Sequence, residues 1–182
     1  MPTLVLTVIG PDRPGLVEAL SDAITRHDAS WQTSSMAQLA GQFAGIVQVD
    51  VGEGAADALA ADLVNLQAKG LAVTVTPAEG DAAGAELPHA FELELVGLDR
   101  PGIVRDLARA LAARAINVAQ LDTATESAAM SGERLFRAHA TLHAPADADA
   151  DELEDALDHL AEELDLDLSF GAAAATAPPE GR

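Results

Sequence analysis

The chain contains the residues Asp-Arg-Pro-Gly twice, at positions 12–15 and again at 99–102. This offset of 87 residues also relates the apolar residues on both sides of the motif. Apolar residues alternate before each copy, as in a strand with one buried face, and follow helical spacing after it. The repeat therefore predicts two small domains of one kind rather than one large domain. The matched residues are Leu4, Leu6, Val8, Leu16, Val17, Leu20 and Ile24 in the first copy and Phe91, Leu93, Leu95, Ile103, Val104, Leu107 and Leu111 in the second.

Later in the chain the offset between the two copies rises to 94. Leu59, Leu63 and Leu66 then match Leu153, Leu157 and Leu160. The second copy therefore holds about seven extra residues, and we place them in the connection between two strands. We expect a compact turn around Gly41 in the first copy and a longer hairpin loop centred near Gly132 in the second.

Each copy is predicted to run strand, helix, strand, strand, helix, strand. In the first copy we expect strands over 2–9, 30–39, 42–51 and 71–76, with helices over 14–28 and 55–69. In the second copy we expect strands over 89–96, 116–126, 134–143 and 165–170, with helices over 101–114 and 149–163. Turn-forming residues without periodicity separate the copies and end the chain. The domains are thus predicted at 1–76 and 89–170, with a linker at 77–88 and a disordered tail at 171–182.

This order of elements is the split β-α-β unit of the ferredoxin-like fold. The predicted fold class is α+β, with two βαββαβ domains, each an antiparallel four-stranded sheet with two helices on one face. The first and third strands of each copy should lie at the centre, since they are the most apolar. The fold alone does not assign a function, because it also occurs in RNA-binding domains, metal carriers and regulatory modules.

The Asp-Arg-Pro-Gly motif lies where a central strand ends and a helix begins. We expect the proline in the first helical turn, where its missing N–H costs nothing, and the aspartate as a cap for the free amides, worth ~0.5–2 kcal/mol. The glycine leaves those amides open to a carboxylate, whose binding the helix dipole favours by ~0.3–1 kcal/mol. The arginine adds a positive charge. The alternative is a well-capped structural turn without a ligand. The residues concerned are Asp12, Arg13, Pro14 and Gly15 in the first copy and Asp99, Arg100, Pro101 and Gly102 in the second.

The stretch GLDRPGIVRDLARALAARAINVAQLDT, at 97–123, resembles the ACT domain, a regulatory module that senses small molecules. The stretch GPDRPGLVEALSDAITRHDASWQTSSM, at 10–36, resembles a second one. Together the two resemblances cover nearly the whole chain except the linker and the tail. Two such domains without an attached enzyme resemble the glycine cleavage system transcriptional repressor family.

The resemblance to ACT domains implies an amino-acid site where the loop before the first helix meets the second strand of an adjacent domain. In the first copy Ser30 and Trp31 stand where the second copy has Asn117 and Val118. A serine cannot offer the donor and acceptor of an amide, so we expect the first site to be weaker, altered or purely structural. Trp31 is interpreted as a core or interface residue rather than a lid. The implied ligand-binding residues are Asp12, Arg13, Gly15, Ser30, Asp99, Arg100, Gly102, Asn117 and Val118.

Composition excludes several other classes of function. The net charge of -20 argues against direct nucleic-acid binding, and only 3% of residues are aromatic, too few for an RNA-stacking surface. The absence of cysteine excludes disulfides and thiolate chemistry. His139 and His143 share a strand face without a third ligand, so we expect no metal site and no cofactor. No catalytic motif is visible, so we expect no enzyme activity.

We therefore expect a non-catalytic regulator that binds a small amino acid and signals to a partner protein, such as a transcriptional regulator of glycine metabolism. The alternative is a detached regulatory subunit of an amino-acid metabolic enzyme. The first ten residues resemble neither a signal peptide nor a membrane span, so we expect a cytoplasmic protein. The weakly charged edge strands leave homodimer formation open. The acidic segment 149–163 is interpreted as an amphipathic helix with a solvated face rather than a site for a basic partner.

Overall fold

The structure of the protein, a computed structural model, describes residues 1–78, 89–127, 132–146 and 148–172. The chain divides into two compact units, and each has its own sheet and its own apolar core. The expected hairpin-loop residues 128–131, most of the linker and the end of the tail lie outside the described residues. No helix among the described residues is long and apolar enough to cross a membrane.

The secondary structure of both units follows the predicted order. The first unit consists of β1 (Thr3–Pro11), α1 (Leu16–Arg26), β2 (Ser30–Leu39), β3 (Gln42–Asp50), α2 (Ala56–Val64), a 3₁₀ helix (Asn65–Lys69) and β4 (Ala72–Pro77). The second consists of β5 (His89–Leu98), α3 (Ile103–Ala112), β6 (Asn117–Ser127), β7 (Arg134–Ala144), α4 (Ala150–Leu164) and β8 (Leu166–Ala172). The helix expected over 55–69 is therefore α-helical only to Val64. Pro77, expected in the linker, ends β4, and β8 extends two residues into the expected tail.

Both sheets are antiparallel and have the same strand order, β2-β3-β1-β4 in the first unit and β6-β7-β5-β8 in the second. The first and third strands of each unit are central, as predicted from their apolar sequences. The ferredoxin-like α+β fold is thereby confirmed. Because β1 leads into α1 at the end of a central strand, the motif loop lies at one end of its sheet.

Buried and exposed residues alternate along the central strands, and the buried residues mark the face of the sheet that the helices cover. Leu6 and Val8 of β1 are fully buried against α1 and α2, whereas the intervening Thr7 is exposed. In the second unit Phe91 of β5 is buried, and its ring stacks on Phe170 of β8 with centroids 4.8 Å apart. At about 25 cal/mol per Å² of buried apolar surface, burial of such side chains is the main stabilising contribution to each unit.

The extra residues of the second copy are shared between its hairpin loop and its strands. In the first unit a two-residue turn, Ala40 and Gly41, joins β2 to β3, and both residues have positive φ as in a type I′ turn. In the second unit residues 128–133 make the connection. The strands differ too, because β6 and β7 have 11 residues each, against 10 and 9 in β2 and β3.

Candidate functional site

The helices that follow the two motifs begin one residue after the motif glycine. Gly15 and Gly102 are the N-cap residues, and both are left-handed, with φ of 89° and 100°. A residue with a side chain would lose about 1–2 kcal/mol in this conformation. The expectation that Pro14 and Pro101 lie in the first helical turn is wrong, because the left-handed glycine separates each proline from the helix.

Neither motif aspartate caps its helix, so this prediction is also wrong. Asp12 and Asp99 lie three residues before the N-cap glycines, and their backbone amides extend the sheet instead. The Asp12 amide donates to the Gly41 carbonyl at 2.9 Å, and the Asp99 amide donates to the Arg134 carbonyl at 2.8 Å. A carboxylate oxygen of Asp99 also lies 3.5 Å from Arg134 Nε. Both helices thus begin without a side-chain cap.

In the first unit a cleft of about 360 Å³ lies beside the start of α1. The motif loop supplies Arg13 and Gly15, and the 3₁₀ helix before β4 supplies Leu66 and Lys69. The Arg13 guanidinium lies against Gly70, where a Cβ atom would be 3.3 Å from its Nη2. The cleft therefore combines two basic side chains with an uncapped helix start and an apolar wall.

In the second unit the side chain of Arg105 lies over the motif glycine. A Cβ atom on Gly102 would be 3.0 Å from Arg105 Nη2. Arg105 is itself bound to Asp106 at 2.9 Å, and Asp106 also lies 3.6 Å from Arg100. Arg105 corresponds to Glu18 of the first copy, so the two helix starts carry different charges.

Within one unit the motif loop and the start of the second strand lie at opposite ends of the sheet. Asn117 pairs with His143, whereas Leu98, just before the motif, pairs with Leu135. These positions are eight residues apart along β7, about 27 Å at the usual rise per residue. The structure therefore does not bring Asn117 and Gly102 together within the unit, and the same holds for Ser30 and Gly15 in the first unit.

The residues that follow Asn117 and Ser30 have a structural role. Asn117 and Ser30 are exposed, whereas Val118 and Trp31 are half-buried and pack against the cores of their own units. A β-bulge directly follows each of these two side chains, at matched positions of the edge strands. The packing of Trp31 against the core of its unit agrees with its interpretation as a core or interface residue.

The two larger clefts of the second unit lie elsewhere. One, of about 700 Å³, is lined by Arg114, Glu152 and His159 among others. The other, of about 650 Å³, lies beside Gly97 and is rich in carboxylates. Among the described residues no three potential metal ligands cluster, and His139 lies 3.2 Å from a carboxylate oxygen of Glu92.

Three residues at these helix starts were missed by the sequence analysis: Lys69, Arg105 and Asp106. Arg105 and Asp106 follow the second motif directly, so the difference from Glu18 and Ala19 was visible in the aligned repeats. Lys69 is the single lysine of the chain, but it lies 54 residues after Gly15 and only the fold brings it to the motif loop.

Comparison with known proteins agrees with the repeat and with the fold. One family model described as an ACT domain matches residues 2–76, and a second matches residues 91–158. The chain is 26% identical to the glycine cleavage system transcriptional repressor of Escherichia coli K12 over 170 residues, which cover 92% of this chain and 88% of the repressor. The repressor of the same name from Shigella flexneri matches equally well. A crystal structure of an unknown protein from Galdieria sulphuraria superposes with a TM-score of 0.80 at 28% identity, covering 95% of this chain and 99% of that one.

Proposed function

The chain belongs to the ACT domain family, with one ACT domain in each unit, and from this we propose that it binds a small amino acid and signals its presence to a partner protein. It is an ACT-domain regulatory protein related to glycine cleavage system transcriptional repressors. This relationship favours a regulator of glycine metabolism as the partner. In this proposal the chain itself catalyses no reaction.

The observation that carries the proposal is the pair of matched helix starts. Gly15 and Gly102 have the same left-handed conformation, and no side chain caps either helix. Backbone amides at a helix N-terminus attract a carboxylate, and the helix dipole adds about 0.3–1 kcal/mol per charge. A structural turn alone would gain stability from a capping side chain, yet both copies lack one.

The charged side chains beside the helix starts suit a zwitterion. A free amino acid has one carboxylate and one ammonium group, so its site needs groups of both signs. At the first helix start Arg13 and Glu18 provide them, since a Glu18 carboxylate oxygen would be 3.8 Å from a Cβ atom on Gly15. At the second helix start Arg100, Arg105 and Asp106 provide them.

The starts of the second strands are the other half of the proposed site. Because Asn117 lies at the far end of the sheet from Gly102 in its own unit, one ligand can contact both kinds of loop only where two ACT domains meet. A ligand held in this way favours one arrangement of the domains over others. A coupling of about 1–3 kcal/mol is enough for such a switch to be read by a partner.

Isothermal titration calorimetry with glycine, serine and the branched-chain amino acids tests the proposal. We expect one of them to bind, and we expect Gly15→Ala or Gly102→Ala to weaken binding, because the added methyl group lies beside the helix amides. Gly54→Ala is the matched control, since Gly54 has a φ of 83° and open space around it. No heat with any amino acid at millimolar concentration, or equal losses in all three variants, would contradict the proposal.

The partner is tested separately by co-purification from the native host in the presence and absence of the bound amino acid. A transcription regulator in the complex supports the proposal. An enzyme of amino-acid metabolism in its place would support the alternative, a detached regulatory subunit. The signalling part of the proposal would be contradicted if neither class of protein co-purified with the chain, or if the association did not depend on the amino acid.

A further inference from the structure

The two sheets differ in the face that their own helices leave uncovered, which we call the open face. In the first sheet, strand pairing places twelve side chains in three rows of four across the open face. None of the twelve is charged, although 22% of the chain is charged. The twelve are the odd-numbered residues of 5–9 and 33–37 and the even-numbered residues of 44–48 and 72–76. Asp50, at the end of β3, lies beyond the last row and accepts a hydrogen bond from the Thr3 hydroxyl at 2.6 Å.

The matched rows of the second sheet are charged. Five of the twelve side chains there carry a charge, and four of those five are carboxylates. Thr7 lies opposite Ile46 in the first sheet, whereas Glu94 lies opposite His139 at the same place in the second. The fold therefore does not require an uncharged open face, and repetition does not explain the one in the first sheet. The charged side chains are Glu92, Glu94, Asp122, Arg137 and Asp167.

The open face of the first sheet also exposes two large apolar side chains. Ile9 is 52% exposed and Ile46 is 54% exposed. They are diagonal neighbours on β1 and β3, because Ile46 pairs with Thr7, two residues before Ile9. A groove of about 300 Å³ is lined by both isoleucines and, on β2, by Ser35 and Ala37. A continuous uncharged surface with exposed isoleucines is typical of an interaction site.

The size of this face suits association of two chains. β1 and β3 have nine residues each, β2 has ten and β4 has six. At about 3.4 Å per residue and about 4.8 Å between strands, the face covers about 550 Å² in plan. Two such faces bury about 1,100 Å² together, just above the area of about 1,000 Å² that a specific interface needs. We therefore expect an association of moderate strength, with a dissociation constant in the micromolar range.

Charge identifies the same face of a second copy as the occupant. The net charge of -20 makes two chains repel each other over most of their surfaces. Two uncharged faces can reach the spacing of stacked sheets, about 10 Å, without bringing carboxylates together. A two-fold axis presents one surface to itself, so an uncharged face is its own complement. The open face of the second sheet does not match it, because carboxylates lose hydration against an uncharged surface.

We propose that the open face of the first sheet is an interface at which two copies of the chain form a symmetric dimer. Ile9 and Ile46 of each copy pack against the groove of the other. This interface differs from pairing of the weakly charged edge strands, because it uses side chains of all four strands rather than the backbone hydrogen bonds of one. It also goes beyond the proposed function, since it requires no ligand.

Sedimentation equilibrium without added amino acid, from low micromolar to submillimolar concentration, tests the dimer. We expect a monomer–dimer equilibrium that added salt strengthens, because salt screens the repulsion between two acidic chains. An interface built on ion pairs would be weakened by salt, and that result would contradict the proposal. A monomer at all concentrations would also overturn it, whether the second unit or a different protein then covers the face.

Charge reversal of the repeat pattern assigns the dimer to this face. Thr7→Glu introduces the residue type that the second sheet holds at the matched position, Glu94, so the fold accommodates it. It places two like charges across the two-fold axis, and we expect the dissociation constant of the dimer to rise at least about a hundredfold. Ala61→Glu adds the same charge at an exposed position of α2, in the helix layer, and should leave the dissociation constant unchanged. No effect of Thr7→Glu, or equal effects of the two variants, would overturn the inference.

A variant without added charge guards against loss of folding. Ile46→Thr keeps the β-branched shape and removes apolar surface from both copies, so it should raise the dissociation constant by about tenfold. Circular dichroism of each variant verifies that the sheet is intact. An unchanged dimer in folded Ile46→Thr would contradict the packing of Ile46 at the interface.

Cross-linking locates the interface directly, because the chain has no cysteine and an introduced one is unique. Thr7→Cys lies in the middle row of the open face, and Ala61→Cys lies in the helix layer. A flexible bis-maleimide that spans the spacing of about 10 Å between stacked sheets should join two Thr7→Cys chains but not two Ala61→Cys chains. Equal yields from the two variants, or none from Thr7→Cys, would contradict the proposed interface.

Discussion

Gly10 and Gly97 lie 87 residues apart and occupy the same position of the repeat, but they contact different neighbours. A Cβ atom on Gly10 would overlap the carbonyl oxygen of Gly70 and would lie 3.2 Å and 3.3 Å from two further backbone atoms. A Cβ atom on Gly97 would overlap only a terminal methyl group of Leu166, and the nearest backbone atom is at 3.4 Å. Replacement of the glycine by alanine should therefore lower the free energy of unfolding by different amounts in the two units.

Gly10→Ala requires a backbone loop to move, whereas Gly97→Ala requires a leucine side chain to rotate. Overpacking that shifts backbone costs about 2–3 kcal/mol, and a displaced side-chain rotamer costs about 1 kcal/mol. For a unit of this size the first value corresponds to a fall of about 10–20 °C in the unfolding midpoint.

Chemical denaturation followed by far-UV circular dichroism measures the free energy of unfolding of both variants and of the parent chain. We expect Gly10→Ala to lose at least about 1 kcal/mol more than Gly97→Ala. Trp31 fluorescence provides a second measurement for the first unit. Equal losses, or a greater loss in Gly97→Ala, would refute the argument that backbone contact decides the cost.

Three further predictions concern single side chains. The Arg26 guanidinium lowers the pKa of Asp62, so the stabilisation from this pair should be present above about pH 3.9 and lost as the pH falls through the lowered pKa. Denaturation at several pH values measures the stability difference between the parent chain and Asp62→Asn. We expect this difference to shrink over the same pH range. Asp149 caps α4 by accepting hydrogen bonds from two backbone amides at 2.9 Å and 3.3 Å, and Asp149→Ala should cost about 1 kcal/mol in urea denaturation, unlike a substitution elsewhere on the exposed helix face. Leu142→Ala should cost about 2–5 kcal/mol because the side chain is fully buried, and Leu39→Ala, at a side chain that is 79% exposed, should stay within about 0.5 kcal/mol; similar losses in the two would contradict the assigned core.

Local sequence signals predicted the helix starts incompletely. The composition of the motif favours a helix that starts at Pro14 with Asp12 as its cap, and each preference is sound when taken alone. The left-handed Gly15 delays the helix to Leu16, and the Asp12 amide is instead held by the Gly41 carbonyl of the neighbouring hairpin. That partner lies 29 residues away in the chain, so no local rule includes it.

The sequence alone determined the two-domain organisation, the order of the elements and the buried face of each central strand. These properties are local, because the spacing of apolar residues such as Leu4, Leu6 and Val8 shows which period the backbone follows. The tertiary structure alone decided which charges surround each motif. Lys69 reaches the first motif loop only because β4 pairs with β1, whereas the start of α3 in the second unit is surrounded by Arg100, Arg105 and Asp106. Electrostatic interactions depend on distance in space, and folding joins positions that no sequence pattern connects.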